Sequence, residues 1–262
     1  MADLAQLLRA VADGEPPATD AELIVLTPPD ERSVGVLAFP GFTVVSADLA
    51  PESVHALVPA GDPAAPVNPM FLAVLEGRTG RRVDNLDIVL CARGTGRRFG
   101  LDLNELTAAD PEANHPRVLR TLAHRSEVRA WTCPGGLLVL GRGVAGRWEV
   151  TVEVDRRLRG FGLGRGLLTA ALGFVPHDDL VWAQVAPGNA PSVRAALGAG
   201  YRPVGSEVLL FPPAELSGSD GSNGSDGSNG SVGGTANGHR FDWFAEEAPA
   251  VDEAGDRADF AE

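Results

Sequence analysis

Residues 148–174, WEVTVEVDRRLRGFGLGRGLLTAALGF, change their hydrophobic period within a few positions, and that change decides the fold. Over the first seven residues Val150, Val152 and Val154 alternate with Glu149, Thr151 and Glu153, the period of two that belongs to a strand. From residue 163 onward Leu163, Leu167, Leu168, Ala171 and Leu172 recur at helical spacing. Between them lies the loop Arg159, Gly160, Phe161, Gly162, Leu163, Gly164, Arg165. A strand, a glycine-rich loop and a helix start therefore follow one another. The first N–H groups of a helix have no intrahelical partner and carry partial positive charge, so they can receive an anion. Glycine at 160, 162 and 164 removes the Cβ atoms that would hold a phosphate away. Each bond to a charged oxygen contributes roughly 1.5–3 kcal/mol, so three or four hold a pyrophosphate without lysine. Arg159 and Arg165 add charge at its edges. The same composition also serves an ordinary strand-to-helix turn.

A second glycine run, Gly141, Gly143 and Gly146, has the GxGxxG spacing of a dinucleotide fingerprint. That fingerprint requires a helix directly after it, and here the strand RWEVTVEV follows, so the run reads as a hairpin turn.

Outward from this stretch, strands are expected at Val128–Thr132 and Leu137–Gly141, joined by a PGG turn, after a helix at Pro116–Arg125. Downstream come a strand at Leu180–Val185, a helix at Ala190–Gly198 and a strand at Ser206–Phe211. Three antiparallel strands thus run into a βαβαβ unit, which implies an α+β fold with a mixed, mostly antiparallel central sheet. Upstream the pattern predicts strands at Glu22–Leu26, Gly35–Phe39, Phe42–Ala47 and Leu86–Ala92 and helices at Pro51–Val58 and Pro69–Gly77. DPEANHP, around residue 112, marks a boundary between this divergent N-terminal α/β region (1–112) and the region 113–211.

After Phe211 the tract SGSDGSNGSDGSNGSVGGTANG has almost nothing to bury and reads as a flexible linker into an acidic tail, 212–262. That tail holds 11 of the 35 acidic residues and two of the 22 basic ones, so most of the net charge of −13 belongs to it. Its FDWFAEE and DRADFAE stretches place Phe241, Trp243, Phe244 and Phe260 among acids. The pattern fits a segment that docks onto a protein partner and equally fits plain disorder. Every basic residue is arginine, which excludes a Walker-type loop and lysine chemistry. The acidity disfavours nucleic acid as a partner; it serves solubility or a cationic substrate. Cys91 and Cys133 lack metal-ligand spacing, and no leader or apolar run of membrane length is visible, so no metal, no membrane and a cytoplasmic location are expected.

Arg159, Gly162 and Gly164 resemble the RxxGxG signature of the GNAT N-acetyltransferase superfamily. Asn189, Ser192, Gly200 and Tyr201, then Val204 and Gly205, are similar to that family's second motif, NxxSxxxxxxxGF followed by a final hairpin. The resemblance covers about residues 115–211. It implies transfer of an acetyl group from acetyl-coenzyme A to an amine, on a small molecule or a peptide, in a ternary complex. It also implies that strands 148–154 and 180–185 splay apart, with pantetheine pairing to the backbone of Val152, Glu153 and Val154 as a borrowed strand. Asn189 and Ser192 cap the next helix or reach the cofactor. Glu149 or Glu153 is the expected base. Many family members place a tyrosine where this chain has Ala196, and Tyr201 reads as core. An alternative is an acyl-coenzyme A-binding sensor that has lost turnover.

Overall fold

The computed structural model describes residues 3–15, 22–58, 62, 65–98 and 100–213, so the tail from residue 214 lies outside the described residues. Helix α1 (Leu4–Asp13) was not expected from the sequence. Its start is nonetheless written there, since Asp3 and Gln6 form a reciprocal capping box and Gly14, at φ 78°, ends it. Strands β1 (Leu23–Leu26), β2 (Gly35–Phe39) and β3 (Phe42–Ser46) follow, then α2 (Pro51–His55) and α3 (Pro69–Thr79), capped by Asn68. β4 runs over Arg82–Arg93, beyond the expected Leu86–Ala92, because its first residues pair with Leu210 and Phe211. Next come β5 (Asn104–Glu105), α4 (Pro116–His124), β6 (Ser126–Cys133), β7 (Gly136–Arg142), β8 (Trp148–Val154), α5 (Leu163–Gly173), β9 (Leu180–Val185), α6 (Ala190–Gly198) and β10 (Arg202–Phe211).

All ten strands form one sheet in the order β1-β3-β2-β10-β4-β9-β8-β7-β6-β5. Only β1/β3 and β8/β9 pair in parallel, so the sheet is mixed and mostly antiparallel, as the sequence implies. The regions on either side of residue 112 share it, because β4 of the first lies between β9 and β10 of the second. The third strand of the βαβαβ unit consequently does not touch the second. Nor do residues 202–211 form a hairpin: β10 is one strand with register shifts between Pro203 and Gly205 and between Val208 and Leu210. Gly205 sits at the first of these because a Cβ would lie 2.3 Å from the carbonyl oxygen of Ala38 on β2.

Helices cover both faces. On one, Leu167, Leu168 and Ala171 of α5 and Ala195 and Ala196 of α6 pack on Leu90, Val150, Val152, Val181 and Ala183. Val54, Phe71 and Leu75 of α2 and α3 cover Val36, Val45 and Val208. On the opposite face Leu4, Leu7 and Leu8 of α1 pack on Leu37, Val89, Cys91 and Trp182, and Val118 of α4 packs on Ala130 and Val139. The polar side chains of β8 point to the α4 side, where Arg117 and Arg125 reach Glu153 and Glu149.

Candidate functional site

β8 and β9 form a fork. Their parallel ladder consists of Trp148↔Val181 and Glu149↔Trp182 and then stops, although β8 stays paired to β7 as far as Val154 and β9 stays paired to β4 as far as Val185. Continuing the register would set Thr151 opposite Gln184, and that rung is missing. The open edge of β8 at Val152, Glu153 and Val154 faces the fork, and the carbonyl of Val154 accepts a hydrogen bond from Arg159 Nε at 3.2 Å.

The open end of the fork leads to the start of α5. Gly162 is its N-cap, at φ 83°, and no side chain caps the helix, so its first amides are left for another acceptor. Gly160 has the same φ. A Cβ on Gly162 would meet only Arg165, at 4.0 Å, so the approach is open. Arg165 is exposed and its stem lies against Gly198 of α6, while Leu163 is partly and Gly164 fully buried. Phe161 projects into solvent with 84% of its surface exposed. Asn189 caps α6, accepting from Ser192 N at 3.2 Å, and Ser192 is fully buried.

At the closed end stands Glu149, expected among side chains turned away from the apolar side and in fact only 3% exposed. Its Oε2 receives Arg125 Nε at 2.8 Å, and its Oε1 receives Arg147 Nε at 2.8 Å and the Val144 amide at 3.2 Å. Burial alone raises a carboxyl, yet Arg125 and Arg147 outweigh it and hold Glu149 at about 2. Arg125 also reaches Gln184 Oε1 at 3.3 Å, so one guanidinium ties both arms of the fork. Arg147 lies over the ring of Trp182 at 5.0 Å and pairs with Glu207 Oε1 at 2.6 Å. The second glycine run makes the room for this network. A Cβ on Gly143 would stand 2.2 Å from Glu149 Oε2, and one on Gly141 would stand 3.0 Å from Arg125 Cβ. The run is the hairpin turn the sequence indicates, closed by Ala145 and Gly146 at positive φ.

Glu153 lies further along β8. It is partly exposed, bound to Arg117 Nε at 2.6 Å, with His115 Nε2 at 3.8 Å. His115 caps α4 by accepting from Arg117 N through Nδ1, which leaves its ring proton on Nε2 toward Glu153.

Over the missing rung, between α4 and the sheet, is a cavity of about 90 Å³ that Thr151, Gln184 and Glu149 line together with Asp84, Asp87 and Arg120. Sequence reading missed Asp84 and Asp87, which sit in the motif-poor first region and enter the site only because β4 lies beside β9. His124 lines this cavity against Phe211, its ring centroid 4.6 Å away. Burial, with Arg120 and Arg125 adding to it, lowers it to about 4 and leaves it neutral at pH 7. Tyr201 is core, as expected: it is 2% exposed and its hydroxyl donates to the Leu168 carbonyl at 3.3 Å, while burial pushes its ionisation far up. Among the described residues no cluster of three or more His, Cys, Asp or Glu could hold a metal ion, and no helix is long and apolar enough to cross a membrane.

No family model and no curated protein matches the sequence. The chain does resemble solved GNAT structures. A GCN5-related N-acetyltransferase from Kribbella flavida is 20% identical, with 56% of this chain and 65% of that one covered and a TM-score of 0.36. A GCN5-related N-acetyltransferase from Sphaerobacter thermophilus is 16% identical over 54% of this chain and 55% of its own, TM-score 0.34. A tandem GNAT protein from the clavulanic acid biosynthesis pathway is 16% identical over 58% and 59%, TM-score 0.34. The chain thus spans less than two thirds of the length of each of these three proteins.

Proposed function

We propose that this protein is an N-acyltransferase that moves an acetyl group from acetyl-coenzyme A directly to an amine. One observation carries the reading: the β8/β9 fork joins an uncapped, glycine-led helix start at its open end to a polar cavity at its closed end. The helix start, with Arg159 and Arg165 beside it, fits a pyrophosphate. The free edge at Val152, Glu153 and Val154 fits the amides of a pantetheine arm. A thioester delivered along that edge ends over Thr151 and Gln184, beside the cavity.

Amide formation needs a neutral amine and a leaving thiolate. Glu149 is too weak a base for the first task, because both of its oxygens are engaged and it stays ionised down to about pH 2. It positions Arg125 and Arg147 at the closed end of the fork. Glu153 borders the open edge, held by Arg117, and does not line the cavity. The thiolate needs no dedicated acid, since a thiol of pKa about 8.5 leaves largely as the anion near neutral pH.

The buried Ala196 and Tyr201 favour one competing reading, a binding protein without turnover. Calorimetric titration with acetyl-coenzyme A and free coenzyme A, followed by thioester consumption against a panel of amines, separates the two. Absence of binding to either ligand refutes both.

A further inference from the structure

The cavity over the fork contains more charge than its ion pairs use. Arg120 is paired with Asp84 at 3.2 Å, Arg125 with Glu149 at 2.8 Å, and Arg117 with Glu153 at 2.6 Å. Two lining residues of opposite sign remain. Asp87 stands directly opposite Glu207 in the β4/β10 register, and Glu207 takes Arg147, leaving Asp87 only the Asn85 amide at 3.5 Å. Arg32 lines the same cavity from the exposed turn before β2 and has no carboxylate within 4 Å among the described residues. His124, which lines the same cavity, adds no charge at neutral pH.

Resting on the acetyltransfer reading, we infer that the acceptor is a small amine carrying an anionic group: its nitrogen is received at Asp87, which takes the proton, and its anion at Arg32. A carboxylate and a guanidinium that line one small cavity, neither in an ion pair, are both matched by a single zwitterion, whereas a plain monoamine leaves Arg32 unmatched and a plain carboxylate leaves Asp87 unmatched. The size of the cavity, about 90 Å³, restricts the acceptor to a few heavy atoms inside it.

The step balances. An ammonium gives one proton to the Asp87 carboxylate, the freed nitrogen lone pair attacks the thioester carbonyl carbon, and the C–S bond breaks with its electron pair going to sulfur. The second nitrogen proton leaves as the amide forms and is available to the thiolate. The groups facing Asp87 are Glu207 on β10, Asp84 on its own strand, Glu149 on β8 and Arg120 on α4. The three acids make it a better base than a solvated carboxylate, and its carboxyl is raised to about 7, first by burial.

The test uses size-matched pairs, β-alanine against β-alaninamide and taurine against 2-aminoethanesulfonamide, with thiol release from acetyl-coenzyme A as the signal. The anionic member of each pair should be preferred at least 10-fold in kcat/KM. Arg32→Ala should erase that preference by raising KM for the anionic member of each pair at least 10-fold. Asp87→Asn should lower kcat roughly 10²-fold with unchanged acetyl-coenzyme A affinity and remove the limb of the pH profile near 7, and Asp87→Glu should restore part of the rate. Equal use of both members of each pair, or an active Asp87→Asn with the wild-type pH profile, overturns the inference. A wild type that binds acetyl-coenzyme A but acetylates no member of the panel also overturns it, whereas failure to bind acetyl-coenzyme A overturns the acetyltransfer reading beneath it.

Discussion

Asp87 and Glu207 face each other as a register pair on β4 and β10, and among the described residues only Glu207 forms an ion pair, with Arg147. Burial first, then Glu207 and Asp84, raise Asp87 from 3.8 to about 7 against the opposing pull of Arg120. The native state therefore keeps a proton that the unfolded chain has released, and stability falls as pH rises between those two values. Asp87→Asn should flatten this decline. Thermal unfolding should show the variant more stable than wild type at pH 8, by on the order of 1–3 kcal/mol, with the difference gone below pH 4. A site residue whose removal stabilises the fold is what a stability–activity trade-off leads one to expect.

Glu149 works with the opposite sign. Its carboxyl is lowered from 4.5 to about 2, so its contribution is complete above 4.5 and is lost as pH falls toward 2. Glu149→Gln leaves Arg125 buried without its carboxylate, while Arg147 keeps Glu207, and should cost about 3–5 kcal/mol in urea unfolding at pH 7, shrinking at pH 3. A fall in turnover without that loss would return Glu149 to a proton-transfer role.

Gly143 and Gly146 sit in the same turn but should respond differently to alanine. At Gly143 a Cβ meets the Glu149 carboxylate at 2.2 Å, so Gly143→Ala must displace the buried ion network and should cost more than about 2 kcal/mol. At Gly146 nothing lies within 4 Å and only the positive φ of 72° opposes the change, so Gly146→Ala should cost about 1–2 kcal/mol. Chemical denaturation of both variants makes the comparison.

Gly162→Glu should abolish acetyl-coenzyme A binding in calorimetry by placing a carboxylate at the uncapped start of α5. Gly162→Ala carries the same backbone strain without the charge, in open space, and should bind within a few-fold of wild type. If both variants lose affinity equally, conformation rather than charge governs the site. Arg159→Ala should weaken binding more at low salt than at high salt.

Tyr201→Phe should leave turnover nearly intact and cost about 1 kcal/mol, the usual scale for one buried hydrogen bond, here to the Leu168 carbonyl. An inactive Tyr201→Phe that melts like wild type would give the hydroxyl a role at the thioester.

The helix start was legible because it is local, whereas the fork was expected only from the family resemblance. The period change from WEVTVEV to LGRGLLTAALG sets strand and helix, and glycines at 160 and 162 adopt the positive φ that the loop requires. The α1 capping box was equally local, in Asp3 and Gln6, but went unread because nothing chemical pointed to it. The closed end of the site was not legible. Alternation put Glu149 opposite the valines, and its partners arrive from the end of α4, the β7–β8 turn and β9.

By itself the sequence determined the order of strands and helices around residues 116–198, the mixed sheet and the glycine-led helix start, because hydrophobic period, caps and glycine act over a few residues. Tertiary structure alone decided that β4 enters the sheet between β9 and β10, since strand pairing depends on long-range register that no local pattern encodes. That insertion brings Asp87 and Asp84 under α4 and the fork, and it sets which carboxylates meet an arginine. The charge state of Glu149 and of Asp87 follows from those encounters, one acid surrounded by guanidinium groups and the other by carboxylates.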